Sequence, residues 1–372
     1  MDQKYWIYKD CFIFKPEFDE PIDKYINIIK NYKILIFSNY NDFETNVQII
    51  NQDHKNNCGF TYHVNSKFSQ PLSNSLEQLS ELKELIFGFK FSQPLSNSLY
   101  CLTKLSELIF GFNFNKPLDD SLTRLVNLEK LTFGFKFSQS LGNSLGYLTK
   151  LKKLTFGFKF SQPLEHSLWG LTNLSELTFG YSFNQPLSDS LNKLILLNEL
   201  TFGREFNQPL LDSFNKLNQL KKLTFGYEFN KPLDNSLNKL IQLEKLTFGD
   251  EFSLSIDNLL NNLTNLKELT FGSDFLCPID LSSNIKVLTI NCNNSYLVNN
   301  LPSSIKILNL GLDFGLPLDN LPNSIHTISF DKYCKYYNPL NNLPKSLKQL
   351  ELPSKYKFEI ENLPPDCDVI YL

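Results

Sequence analysis

The chain has 372 residues, of which 42% are hydrophobic, and 36 basic against 39 acidic side chains leave a net charge of −3. That balance provides no global basic field to gather nucleic acid or an anionic membrane, and no apolar run approaches the roughly 18 residues that span a bilayer. Alanine is absent and Arg124 and Arg204 are the only arginines, a bias that an AT-rich genome produces.

At the N-terminus, MDQKYWIYKDCFIF has Asp2, Lys4, Lys9 and Asp10 among its apolar residues, which does not read as a secretory signal. Seven cysteines (Cys11, Cys58, Cys101, Cys277, Cys292, Cys334 and Cys367) form no C-x-x-C pair. They read as reduced thiols of a cytoplasmic protein, with neither a disulfide framework nor a zinc site. Residues 1–67 read as diverged coils of a repeat. Phe18-Asp-Glu-Pro21-Ile22 opens one whose strand phenylalanine, Phe37, lies 19 residues on, and Phe43 opens another ending near Phe60-Thr61-Tyr62.

From Phe68 to Asp274, nine 23-residue units follow without insertion or deletion. Such a period marks a solenoid, in which each coil leans on its neighbours. In the unit 160–182, FSQPLEHSLWGLTNLSELTFGYS, the apolar residues are Phe160, Leu164, Leu168, Leu171, Leu174, Leu177 and Phe179. The spacing of three through Leu168, Leu171 and Leu174 predicts a short helix or 3₁₀ turn. Leu177-Thr178-Phe179 alternates as a strand does. His166-Ser167, elsewhere Asn74-Ser75, Asp189-Ser190 or Asn235-Ser236, stands where a helix start needs a cap. Trp169 is expected on the variable face behind the sheet, exposed or half-packed.

The pattern L-x-x-L-x-x-L-x-F, as in Leu171 to Phe179, resembles a leucine-rich repeat, with a phenylalanine ladder in place of that repeat's buried asparagine. The motif F-[NS]-x-P-L (residues 114–118, 183–187, 206–210 and others) resembles the FNIP repeat, known chiefly from social amoebae and from giant viruses of amoebae. So do LPSSIKIL (301–308), LPNSIHTI (321–328), LPKSLKQL (343–350) and the degenerate LPPDCDVI (363–370). The fold expected is an α/β solenoid, leucine-rich-repeat-like, a curved array with a continuous parallel sheet of about 16 coils. It divides into diverged N-terminal coils or a cap at 1–67, nine repeats at 68–274, and shorter FNIP-type coils with a C-terminal strand at 275–372, all in one domain.

Three columns in the nine units vary informatively. The seventeenth position runs Glu84, Glu107, Lys130, Lys153, Glu176, Glu199, Lys222, Lys245 and Glu268, so that signs alternate in pairs and each border between pairs is favourable. Glycine holds the twenty-first position throughout and reads as a strand bulge. The twenty-second runs Phe89, Phe112, Phe135, Phe158, Tyr181, Arg204, Tyr227, Asp250 and Ser273. Strict alternation would bury this row; a bulge at the glycine would expose it. The twenty-third passes from Lys90, Lys136 and Lys159 to Glu205, Glu228, Glu251 and Asp274.

Aromatic anchors with charged rims are the usual energetic pattern of interfaces. The candidate partner-binding residues are therefore Phe89, Phe112, Phe135, Phe158, Tyr181, Arg204 and Tyr227. None of His54, His63, His166 and His326 belongs to a catalytic or metal motif, and no cofactor motif is present. The expected function is non-enzymatic binding of a protein partner through the concave or strand edge, with no nucleic acid and no membrane. The resemblance also allows a substrate receptor of a ubiquitin ligase, although residues 1–40 show no F-box start. The apolar end Val369-Ile370-Tyr371-Leu372 allows end-to-end self-association.

Overall fold

The computed structural model describes residues 3–51, 65–256 and 259–372. They gather into two compact units, Met1–Leu197 and Asn198–Leu372. In the first unit, β1 (Tyr5–Tyr8) and β2 (Cys11–Phe14) form an antiparallel hairpin. After it, β3 (Ile34–Phe37), β4 (Glu84–Ile86), β5 (Glu107–Ile109), β6 (Lys130–Thr132), β7 (Lys153–Thr155) and β8 (Glu176–Thr178) pair in parallel, each with the next. In the second, β9 (Glu199–Thr201), β10 (Lys222–Thr224), β11 (Lys245–Thr247) and β12 (Glu268–Phe271) continue at the 23-residue period. The shorter coils supply β13 (Val287–Ile290), β14 (Ile307–Leu310), β15 (Thr327–Phe330), β16 (Gln349–Leu352) and β17 (Asp368–Tyr371), again all parallel.

Register follows the repeat: Leu108 lies beside Leu131, Leu131 beside Leu154 and Leu154 beside Leu177. A strand of three residues has little stability alone. Its central leucine is fully buried in every coil, and behind it the first-position and twentieth-position phenylalanines form buried columns within each unit. Phe133 stacks on Phe137, which opens the next unit, at 4.1 Å, on Phe110 at 5.6 Å and on Phe156 at 5.6 Å. These columns fill the corner that an asparagine ladder would otherwise occupy.

The chain is a parallel-strand solenoid of the leucine-rich-repeat kind, with about 15 turns and little helix. Two expectations are corrected, the helix-start cap and the N-terminal coils. Of the short helix or 3₁₀ turn expected behind the sheet, the central coils take the second, a run of i→i+3 turns: Ser98 N donates to Leu95 O (2.8 Å), Leu102 N to Leu99 O (3.0 Å) and Leu105 N to Leu102 O (3.0 Å). Among the described residues of the repeats, only Leu259–Asn262 forms a 3₁₀ helix. Just before these turns Ser73, Ser96, Asp119, Glu165, Ser188, Leu211 and Asp234 all take φ of 41–47°. Such a left-handed residue cannot itself belong to a right-handed helix, and Asn74, His166 and Asp189 beside it precede i→i+3 turns and have no α-helix to cap.

The second correction concerns the N-terminus. Phe18 stacks on Phe68 (5.8 Å) and Phe37 on Phe68 (4.0 Å), reproducing the packing of Phe68 and Phe87 on Phe91. However, β3 pairs directly with β4, so no coil strand stands between them, which accounts for a turn count below 16. Phe43 instead begins a helix, α2 (Phe43–Asn51), after the single turn α1 (Ile26–Ile29), and packs against Trp6 and Tyr8. The expected end of that coil, near residues 60–62, lies outside the described residues. Cys11, Ile13 and Ile36 form a small apolar cluster with Trp6, Tyr8, Ile50 and Ile86. Alternation along β2 puts this cluster on the face opposite Phe12 and Phe14, so both faces of the sheet are covered here.

Candidate functional site

The candidate edge is made by the turn that leaves each strand. Phe114 N donates to Gly111 O (3.2 Å), Phe137 N to Gly134 O (3.2 Å) and Phe160 N to Gly157 O (3.2 Å). An i→i+3 bond of this kind encloses two central residues, here the twenty-second and twenty-third of the coil. The glycine is therefore the first residue of a turn, not a strand bulge. Its lack of a side chain serves close approach, since a Cβ on Gly134 would lie 1.9 Å from the Gly111 carbonyl oxygen. Successive turns are tied by further rungs, Asn113 N to Phe89 O (3.0 Å), Lys136 N to Phe112 O (2.9 Å) and Lys159 N to Phe135 O (2.9 Å).

This geometry decides between burial and exposure of the aromatic row. The turn ends the strand alternation, and Phe89, Phe112, Phe135, Phe158 and Tyr181 are each half-buried. Their rings stack in one ladder, with centroids 4.5, 4.4, 4.5 and 4.2 Å apart in chain order and interplanar angles of 9–15°. Phe112, Phe135 and Phe158 are covered by a neighbouring ring on both faces, so the surface they offer is mostly ring edge. In the second unit Arg204 and Tyr227 are exposed, and the Arg204 guanidinium lies 4.1 Å from the Tyr227 ring centroid. Arg204 Nε is 3.5 Å from Glu228. The structure thus brings five candidates together in one ladder and sets the other two in a cation–π pair of their own.

The strand face is electrostatically closed within each unit. Where the seventeenth position changes sign, an ion pair bridges the coils: Lys130 to Glu107 (3.7 Å), Lys153 to Glu176 (2.7 Å), Lys222 to Glu199, and Lys245 to Glu268 (2.9 Å). The turn edge is different. Lys90, Lys136 and Lys159 are exposed; Lys136 reaches within 5.9 Å of the Phe112 ring, and none of the three has an ion-pair partner among the described residues.

Trp169 is half-buried behind the sheet, where its indole N–H donates to Asp189 O (3.3 Å) and His166 lies 3.9 Å from its ring. His54 and His63 lie outside the described residues. No group of three or more His, Cys, Asp or Glu is placed to hold a metal among the described residues. The six described cysteines form no disulfide with one another, and burial pushes the thiols of Cys292 and Cys334 up to about 11. No described helix is long and apolar enough to cross a membrane.

Sequence reasoning missed one place. In the turn after β15, Tyr333 is 67% exposed and Tyr337 66% exposed, beside a cavity of about 530 Å³ that Leu312, Lys332, Lys335 and Lys355 also line. The signal was the run Lys332-Tyr333 directly after a strand, at the two central positions of the turn, with Lys332 where the ladder has an aromatic ring and Tyr333 where it has a lysine.

No family model matches this sequence, and no curated protein matches it. The fold has clear neighbours among solved structures, which are leucine-rich-repeat proteins. CroV588, a circular leucine-rich-repeat protein of the giant virus CroV, aligns over 99% of this chain at 24% identity with a TM-score of 0.56. The chain spans 60% of the length of that protein. The internalin InlF of Listeria monocytogenes aligns over 79% of this chain and 88% of its own, at 19% identity and a TM-score of 0.56. TLR13, in a complex with a single-stranded RNA, aligns over 78% of this chain and 46% of its own, at 17% identity and a TM-score of 0.57.

Proposed function

We propose that this protein is a non-enzymatic scaffold that binds a protein partner along the turn edge of its first unit. The observation that carries the reading is the ladder of five stacked, half-exposed aromatic side chains from Phe89 to Tyr181, flanked by Lys90, Lys136 and Lys159. Aromatic residues ordered by their own packing lose little entropy on binding and are frequent anchors of interfaces. We assign the coils to the FNIP type of leucine-rich repeat on the strength of the F-[NS]-x-P-L and L-P-x-S motifs. Single-stranded RNA, bound by TLR13, is disfavoured here, because bases stack on open ring faces and these faces cover one another.

The test is affinity capture from amoebal lysate with the wild type and a Phe112→Ser/Phe135→Ser variant, each checked by circular dichroism. The variant is expected to keep its fold and to lose the partner. Retention of the partner by a folded variant would overturn the proposal.

A further inference from the structure

We infer that the aromatic and basic turn edge of residues 89–182 docks onto the acidic turn edge of residues 204–274 in a second copy of this chain. The inference rests on the preceding reading of the first edge as a binding surface and supplies the partner.

The first support is uncompensated charge. On the strand face each change of sign is bridged by an ion pair within the molecule. On the turn edge the signs are sorted instead, with lysines in one unit and Glu205, Glu228, Glu251 and Asp274 in the other. Lys90, Lys136 and Lys159 have no ion-pair partner among the described residues, and neither have Glu205 and Glu251. Charges of both signs therefore stand ready for a partner outside the molecule.

The second support is the repeat distance. Both edges consist of the same turn repeated once per coil, at about the 4.8 Å separation of paired strands. An extended peptide repeats its side chains on one face about every 6.7 Å, so against this edge it loses register within two coils. Another edge with the same rise stays in step along its whole length.

The third is the chemistry of the rings. Stacking hides the negative ring faces and leaves the edges, which carry partial positive charge. A row of carboxylates complements these edges as well as the lysines beside them.

Light scattering of the full chain across a salt series tests the inference. At about 20 mM salt, where screening extends over tens of ångströms, the mass should exceed that of the monomer, and at about 0.5 M it should fall back to it. A Lys90→Glu/Lys136→Glu/Lys159→Glu variant makes both edges acidic, and a Glu205→Lys/Glu228→Lys/Glu251→Lys variant makes both basic. Each alone should stay monomeric at low salt, and an equimolar mixture should associate again. A wild type that is monomeric at every salt concentration overturns the inference, as does a mixture of two folded variants that fails to associate. If the wild type is monomeric while Phe112→Ser/Phe135→Ser still abolishes capture of another protein, self-docking fails and the binding reading survives.

Discussion

At the scale of single residues, two backbone demands recur in every central coil and predict opposite responses to substitution. Leu211 occupies the left-handed sixth position with φ 47° and is 75% exposed, so its side chain contributes little packing. An L-residue pays about 1–2 kcal/mol there relative to glycine, against about 0.5–1 kcal/mol of extra glycine chain entropy. Leu211→Gly should raise the free energy of unfolding by about 0.5–1 kcal/mol, read as a higher urea midpoint. Gly134 is the converse case. Its Cβ would overlap the Gly111 carbonyl, which is backbone and cannot rotate away, so Gly134→Ala should cost about 3 kcal/mol or more. An unchanged urea midpoint for the alanine variant would show that the coils can separate locally. The glycine column itself is plain in the sequence, but its cause is not, since a bulge and a close approach both call for glycine. The same ambiguity hid the state of Phe112 and its neighbours, because exposure depends on where the strand ends.

At the scale of elements, the three-residue strands carry two kinds of contact of very different weight. Leu154 in β7 is fully buried between equivalent leucines, and Leu154→Ala should cost about 2–5 kcal/mol. Lys153, one residue before it, makes a well-formed ion pair with Glu176, yet both side chains are about 40% exposed. Lys153→Ala should therefore cost less than about 1 kcal/mol. Equal losses in urea unfolding would mean that the charge ladder, and not the leucine column, holds the sheet together. Strand positions were legible because a leucine between two polar residues recurs with the period. The back of the coil was legible in part. The spacing of Leu168, Leu171 and Leu174 points to i→i+3 turns, which form, but the same spacing suits joined and separate turns alike. Phe43 misled for a related reason, since a phenylalanine at the expected spacing can open a helix as well as a coil.

At the scale of the whole molecule, stability is a sum over coils and their interfaces, and the contacts fall into two units. All-or-none unfolding is not expected of a long array. The two tryptophans, Trp6 and Trp169, both lie in the first unit, whereas far-ultraviolet circular dichroism reports on every strand. The two signals should give non-coincident urea transitions; superimposable curves would show that residues 1–197 and 198–372 unfold as one. The post-strand turn has a consequence of another kind. Its frame is set by an invariant glycine and two invariant phenylalanines in the core, while its two central residues range from Phe-Lys to Tyr-Glu and Asp-Glu without change of register. Scaffold and message are thus written in separate letters of the same coil. An engineer could retype the message at two positions per turn, coil by coil, and leave the scaffold unread.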